Sequence, residues 1–199
     1  MAMRNEALKK RQHNMYNEVL IHGVPYAFKV RELFEGKLSM VLPADFEEMD
    51  RELAKTKYMS PNGPQMVLCN HTGDISFALN MEQIPLQAED VAKRVDEMRI
   101  AIKRFSPACV FHEQKVGNRN DNEPVGYFAF KSYALDMDIY NTMFATSIEG
   151  RLFFGSFSCP DLQGDEWKDL VNQMLQSITD LTKNRDTETE GKISATLDR

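Results

Sequence analysis

Two short cysteine–histidine pairs are the residues of this sequence best suited to chemistry. Cys69 and His71 lie two positions apart, and Cys109 and His112 lie three positions apart. Two thiolates and two imidazoles could form a tetrahedral zinc site. Along a strand, residues 69 and 71 share a face, whereas 109 and 112 lie on opposite faces unless the strand ends or bulges between them. A metal- or thiol-dependent enzyme is one interpretation, and buried cysteines beside strand-end histidines are the other.

The third cysteine, Cys159, precedes Pro160 at the end of a predicted strand, and no histidine lies near it in sequence. A catalytic nucleophile needs a base and an orienting group, and a reactive thiol needs an electropositive setting. The sequence contains none of the motifs G-x-S-x-G, G-x-x-x-x-G-K-S/T, G-x-G-x-x-G or H-E-x-x-H. We therefore expect a protein without catalytic residues or a cofactor, in which Cys159 is a packing residue.

Two neighbouring predicted strands, 125–133 and 137–148, carry large apolar residues on both faces. The chain also contains 12 methionines, which adapt readily to binding surfaces. If helices cover only one side of the sheet, the other apolar face marks a partner site. If helices cover both sides, these residues are ordinary core. The first interpretation predicts a partner-binding surface made of the following residues: Tyr127, Tyr133, Met137, Ile139 and Met143.

Hydrophobic periodicity and the positions of glycine and proline predict the elements that would position these residues. The predicted helices are 4–21, 46–56 with Asp45 as its cap, 88–105 and 164–181. The predicted strands are 26–34, 37–42, 65–70, 74–81, 108–116, 125–133, 137–148 and 151–158. Several strand pairs are joined by turns too short for a crossover, which favours an α+β fold with a largely antiparallel sheet.

The same elements divide the chain into three parts. Residues 1–22 form an N-terminal helical extension, 23–183 form a single α+β domain, and 184–199 form a polar tail that we expect to be disordered. Within the domain, the polar run 117–124 is interpreted as a flexible connection between two strands.

Composition excludes several classes of protein. The 199 residues are 42 % hydrophobic, with 24 basic against 30 acidic residues and a net charge of −6, so a broad nucleic-acid-binding face is not expected. No apolar run is long enough for a membrane helix. Three widely spaced cysteines and a charged N-terminus without an export signal favour the cytoplasm.

Two segments resemble the PsbP/Mog-like families. The first is Leu-Ser-Met-Val-Leu-Pro-Ala-Asp-Phe at 38–46, which resembles their opening strand and the turn after it. The second, Glu-Gly-Arg-Leu-Phe-Phe-Gly-Ser-Phe-Ser-Cys-Pro at 149–160, precedes a helix that holds Trp167 and resembles the end of the DcrB-like branch. The resemblance covers roughly 24–181. It implies an antiparallel sheet flanked by helices, an α/β/α sandwich, to which this chain adds an N-terminal helix.

The resemblance also implies a function. Its members are photosystem subunits, a Ran-binding release factor, lipoproteins and secretion-effector chaperones, which share protein or peptide binding but no catalytic residues. We therefore predict a cytoplasmic, non-catalytic binding module of the adaptor or chaperone type. Two alternatives remain open: the enzyme built on the cysteine–histidine pairs, and a structural homo-oligomer, such as a homodimer that forms through the N-terminal helix or the sheet.

Overall fold

The computed structural model describes residues 14–58 and 63–183. The α-helices of this part are α1 (Arg51–Lys57), α2 (Val91–Phe105) and α3 (Gly164–Gln176). Its strands are β1 (Val19–Ile21), β2 (Val24–Tyr26), β3 (Phe28–Leu33), β4 (Leu38–Pro43), β5 (Glu47–Glu48), β6 (Met66–Cys69), β7 (Ser76–Pro85), β8 (Val110–Asn118), β9 (Pro124–Tyr133), β10 (Asp138–Ile148), β11 (Arg151–Pro160) and β12 (Thr179–Asp180).

A seven-stranded antiparallel sheet organises the molecule, in the order β5-β6-β7-β11-β10-β9-β8. Its central strands are long, and β10 pairs with β9 and β11 over nearly its full length. A three-stranded sheet, β12-β4-β3, and the hairpin β1-β2 complete the fold. The predicted antiparallel pairing of consecutive strands is therefore present in the structure.

The two faces of the seven-stranded sheet are covered differently. On one face, α2 buries Val91 and Val95 against Phe128 and Ala145. On the other face, α3 packs Trp167 against Tyr26 at 5.0 Å and Phe157 at 5.3 Å between ring centroids. The apolar positions predicted for α3 are all buried: Trp167, Leu170, Val171, Met174 and Leu175, with Ile178 just beyond its end.

The predicted α/β/α sandwich is wrong. Strand β4 pairs with β3 and β12 instead of joining the large sheet, and its Leu38, Met40 and Leu42 are buried in the same core as Trp167. The layer opposite α2 is therefore part helix and part sheet. Alternating burial along β4 predicts a strand with one covered face, but it carries no information about which strands will pair with it.

The N-terminal region also differs from its prediction. Residues 4–13 of the predicted helix lie outside the described residues, as does the predicted tail 184–199. Of the remainder, Val19–Ile21 forms β1, which turns at His22 and Gly23, both at positive φ, into β2. In β1, the buried residues Val19 and Ile21 lie on either side of an exposed residue. Over so short a segment, the sequence pattern of a strand cannot be distinguished from that of a helix.

The first predicted helix after β4 begins later than expected. Asp50, and not Asp45, is its cap: Asp50 Oδ1 accepts hydrogen bonds from the backbone N–H groups of Glu52 at 2.9 Å and Leu53 at 3.3 Å. Glu47 and Glu48, expected in the first turn, instead form the short edge strand β5. Helix α1 is consequently short and buries none of its own residues.

Candidate functional site

Polar contacts hold α1 on the same face of the sheet as α2. Lys57 Nζ, at the end of α1, donates hydrogen bonds to the Gly73 carbonyl at 2.7 Å and to Ser76 Oγ at 3.0 Å. Ser76 Oγ also lies 3.4 Å from Tyr58 Oη and 3.2 Å from Ser158 Oγ. These contacts fix the position of one helix that covers part of this face.

This polar cluster resembles a nucleophile beside a base, because burial lowers the pKa of Lys57. A serine hydroxyl next to a lysine amine of lowered pKa can act as a nucleophile when substrate reaches it. Ser76, however, is fully buried beneath α1. The cluster therefore supports the fold around it and presents no accessible nucleophile.

A groove of about 760 Å³ lies between α1 and α2, and we call it the α1–α2 groove. Its base is formed by strands β7, β11 and β10, through small or polar side chains such as Ala78, Asn80 and Ser156. Larger apolar and aromatic residues also line it: Tyr58, Pro64 and Phe105 at its sides, and Met143 of β10 and Phe154 of β11 at its base. Of the described residues that line the groove, Glu82 alone carries a charge.

Phe105 is the most conspicuous residue of the groove. It is the last residue of α2 and its side chain is 85 % exposed, whereas Met143 and Phe154 across the groove are half-buried and pack on the α2 core. An exposed phenylalanine next to partly buried apolar side chains leaves apolar surface that a partner could cover.

The five residues predicted to bind a partner do not form one surface. Tyr127 pairs in register with Phe144 and is buried on the α3 side, at 6 % exposure. Tyr133 lies on that same side by strand alternation and is 55 % exposed. Ile139 and Met143 project from the α2 side, and Met143 lines the groove. Met137 is exposed just before β10.

The grouping of these residues is therefore corrected: only Met143 belongs to the α1–α2 groove, and Ile139 lies farther along the same face. Sequence alternation assigned the residues to strand faces, but the interpretation in which helices cover only one side of the sheet did not hold. Helix α2 covers part of one face, and α3 with the small sheet covers the other.

The cysteine–histidine quartet is not assembled. Cys109 is buried in the α2-side core, whereas His112 lines a depression on the α3 side. Cys69 lies on β6, five strand positions from β8, or about 24 Å at a spacing near 4.8 Å per strand. His71 is exposed in the turn between β6 and β7. Among the described residues, no group of three or more side chains of metal-binding type could hold an ion.

The three thiols are free and buried. Burial raises the pKa of Cys159, which has no exposed surface, and it also raises the pKa of Cys69. A raised pKa keeps the thiol protonated at neutral pH and therefore poorly nucleophilic.

A second depression, of about 270 Å³, lies on the α3 side near the start of α3. A β-bulge between Phe111 and Gln114 sets His112 and Glu113 opposite Ala129, so both side chains face this depression. A bulge between Cys109 and His112 could have put both residues on one face, but the observed bulge, at His112 and Glu113, leaves His112 on the face opposite Cys109.

Two of the carboxylates at this depression, Glu113 and Asp161, are paired with lysines. Lys131 Nζ lies 2.6 Å from Asp138 Oδ2 and 2.7 Å from Asp161 Oδ2, and Lys115 Nζ lies 2.7 Å from Glu113 Oε2. Burial raises the pKa of Tyr140 at the base to about 12, so its hydroxyl stays protonated at neutral pH. The α1–α2 groove, whose apolar sides are only partly covered, is therefore the better candidate site.

Sequence reasoning missed the residues that define the groove. Phe105 was recognised only as the end of a helix, and Lys57 was expected beyond the end of its helix. Helical spacing places Phe105 on the same apolar stripe as Val91, Val95, Met98 and Ile102, so the sequence pattern predicts a covered residue and gives no signal for its exposure. The Lys57–Ser76 contact joins residues 19 positions apart and has no sequence signal either.

Comparisons with known proteins identify the fold but not the family. No protein-family model matches the sequence, and no curated protein matches it. The solution structure of cyanobacterial PsbP (CyanoP) from Synechocystis sp. PCC 6803 is similar, with a TM-score of 0.54 and 12 % identity. The match covers 76 % of this chain and 91 % of that chain. The chain therefore has a PsbP-like fold. No helix in the described ranges is long and apolar enough to span a membrane.

Proposed function

We propose that this chain is a non-catalytic binding module that holds an apolar segment of another protein in the α1–α2 groove. The observation that carries this proposal is the exposure of Phe105 at the edge of a groove lined by Met143 and Phe154. Covering a phenylalanine side chain completely contributes about 1.5–3 kcal/mol. Aromatic anchors of this kind dominate many protein interfaces.

The base of the groove suggests what kind of segment binds. Strand β7 pairs with both β6 and β11, and β11 pairs with both β7 and β10, so their backbone groups are already used. A partner cannot add a strand there and must bind through its side chains. A helix that lays one apolar face between two helices is the recognition mode that fits this arrangement.

Adaptor or chaperone is the most concrete form of this function. The free thiols are compatible with a reducing cytoplasm, which we propose as the compartment. Membership of the DcrB-like branch also stays a proposal, supported by the segments 38–46 and 149–160 and by the PsbP-like fold. That the protein is not an enzyme remains a prediction.

Selection from a displayed library of random 16-residue peptides tests the proposal. We expect enrichment of peptides with apolar residues at helical spacing, and a loss of affinity of about 30-fold in Phe105→Ser, which corresponds to a hot-spot contribution of about 2 kcal/mol. Ile100→Ser is the matched control, because Ile100 lies on the same helix, is 51 % exposed and does not line the groove. Failure to enrich apolar peptides, or equal loss in both variants, would contradict the proposal.

A further inference from the structure

Strand β8 is a long edge strand whose outer side has no strand partner within the described ranges. It is the last strand of the seven-stranded sheet, extends over nine residues (Val110–Asn118) and pairs with β9. The strand at the opposite edge, β5, has two residues. A long open edge presents backbone N–H and C=O groups with which a further strand can pair.

Exposed apolar side chains accompany this edge. Val110 and Val116 are 47 % and 48 % exposed. Val116 lies opposite Gly126 on the α2 side, and Val110 lies opposite Lys131 on the α3 side. A strand added to β8 would therefore cover apolar surface on both faces of the sheet.

Charge limits which strand can be added to β8. Glu113 and Lys115 both lie on the α3 side, where Lys115 Nζ is 2.7 Å from Glu113 Oε2. A lysine near the middle of an edge strand disfavours pairing with an arbitrary strand. A strand that places a carboxylate opposite Lys115 and a cation opposite Glu113 avoids this cost.

A second copy of β8 meets this requirement by symmetry. Gln114 is the middle residue of the strand, with Glu113 on one side and Lys115 on the other. In an antiparallel pair of copies with the two Gln114 residues opposite each other, Lys115 of each copy lies opposite Glu113 of the other. A twofold axis generates this contact twice, so the charges that exclude an arbitrary strand favour a second copy.

The bulge at residues 112–113 brings the exposed valines into the same interface. Because both bulge residues face the α3 side, the pairing shifts by one residue beyond them, as it does between β8 and β9. Val116 of one copy then lies opposite Phe111 of the other, and both side chains are on the α2 side. On the α3 side, Gly117 lies opposite Val110 of the other copy.

We propose that two copies of this chain form a homodimer by antiparallel pairing of β8 with β8 about a twofold axis at Gln114. The two large sheets then become one continuous sheet. This inference is independent of the proposed function, because the α1–α2 groove lies over β7, β11 and β10 and the dimer leaves it open. A single pair of strands is a small interface, so we expect a dissociation constant of about 10–100 µM.

Sedimentation equilibrium of the full chain, from about 1 to about 500 µM, measures this association. We expect the monomer at the lowest concentration and the dimer at the highest. The variants Lys115→Glu and Glu113→Lys each place like charges opposite each other at two symmetric positions. We expect either variant to raise the dissociation constant about tenfold.

Mixing the two variants separates a lost interface from a damaged fold. In a mixed dimer, the two lysines of Glu113→Lys lie opposite the two glutamates of Lys115→Glu, so the equimolar mixture should dimerise more tightly than either variant alone. Lys55→Glu is the matched control, because Lys55 also pairs with a glutamate of its own chain, at 2.6 Å, but lies on α1. Its dissociation constant should equal that of the unsubstituted protein.

A monomer at every concentration would overturn the inference. A dimer that both charge variants leave unchanged, or a mixture that dimerises no better than its components, would overturn it as well. Hydrogen exchange of residues 114–118 identifies the partner of the edge, and we expect protection to increase with protein concentration. Protection that does not change with concentration would show that another part of the same chain pairs with β8, which contradicts the proposal.

Discussion

Lys57 Nζ donates a hydrogen bond to Ser76 Oγ at 3.0 Å, and this contact joins α1 to the base of the large sheet. Because α1 buries none of its own residues, apolar packing contributes little to its position. The contacts of Lys57 and Tyr58 with Ser76 therefore determine where one side of the α1–α2 groove lies.

Replacing Lys57 with methionine should loosen α1 while the rest of the sheet stays folded. The substitution keeps most of the apolar stem but removes the donor to Gly73 and Ser76, which leaves a buried hydroxyl with fewer partners. Hydrogen exchange of residues 51–57 should accelerate about tenfold, and affinity for the selected peptide should fall. Lys55→Met is the control, because the pair that Lys55 forms within the described part of the chain is with Glu52, on the exposed side of α1. Similar exchange in the two variants would contradict this role of Lys57.

Gly155 should not tolerate a side chain. A Cβ at this position would lie 2.6 Å from the Ala78 carbonyl oxygen and 2.9 Å from Phe144 Cζ, so β7 and β11 would have to move apart. We expect Gly155→Ala to reduce the free energy of unfolding by about 1–3 kcal/mol. Gly117→Ala is the comparison, since, apart from its own chain neighbours, no atom of residues 14–58 or 63–183 lies within 4 Å of its added Cβ. Urea denaturation of both variants measures the difference, and equal stabilities would show that the strands accommodate the methyl group.

Acid should weaken the attachment of the loop after β8. Burial alone would raise the pKa of Asp121, but hydrogen bonds and the charge of Arg119 outweigh it and hold the pKa below its usual value. A lowered folded-state pKa means that the stabilisation is present above the unfolded pKa, near 4, and is lost as pH falls through the folded value. The Asp121→Asn variant should therefore have a lower free energy of unfolding at pH 7 than the unsubstituted protein. Below pH 4, that free energy should fall less steeply in the variant. A parallel decline in both proteins would contradict the assignment.

The three cysteines should react slowly with iodoacetamide at pH 8 in the folded protein. Burial raises the pKa of Cys69 and Cys159, and Cys109 is enclosed in the α2-side core. Full labelling is expected only in denaturant, and a chelator should leave the melting temperature unchanged. Rapid modification of Cys159 in the native protein would contradict this prediction and support the alternative of a thiol-dependent enzyme.

Local pattern predicted the long elements because each has one strong period. The stripe of α3 and the alternation of Phe77 and Leu79 in β7 both correspond to buried side chains. Strand pairing was harder to predict, because the local pattern of β4 does not specify β3 and β12 as its partners. The run 117–124 shows the same limit. It was interpreted as flexible from its polarity, yet Arg119 is 2 % exposed, paired with Asp121 at 2.8 Å and bonded to Thr146.

The functional site was predictable only in part. Met143 was selected for its place on an apolar strand, and it does line the groove. Tyr127 was selected for the same reason, but α3 and the small sheet cover its face. Residues 14–22, predicted to belong to a helical extension, instead pack on α3: the backbone N–H of Met15 donates to Gln173 Oε1 and that of His22 donates to Glu166 Oε2. Such contacts depend on tertiary packing, which periodicity does not encode.

Methyl NMR of the methionines tests the binding site most directly. The chain has 12 methionines, of which Met143 lines the α1–α2 groove and Met174 is buried in the α3-side core. Titration with the selected apolar peptide should shift the Met143 methyl resonance in proportion to occupancy and leave that of Met174 unchanged. Saturable binding without a shift of Met143, or with shifts confined to the α3 side at Met15 or Met174, would contradict the α1–α2 groove as the site.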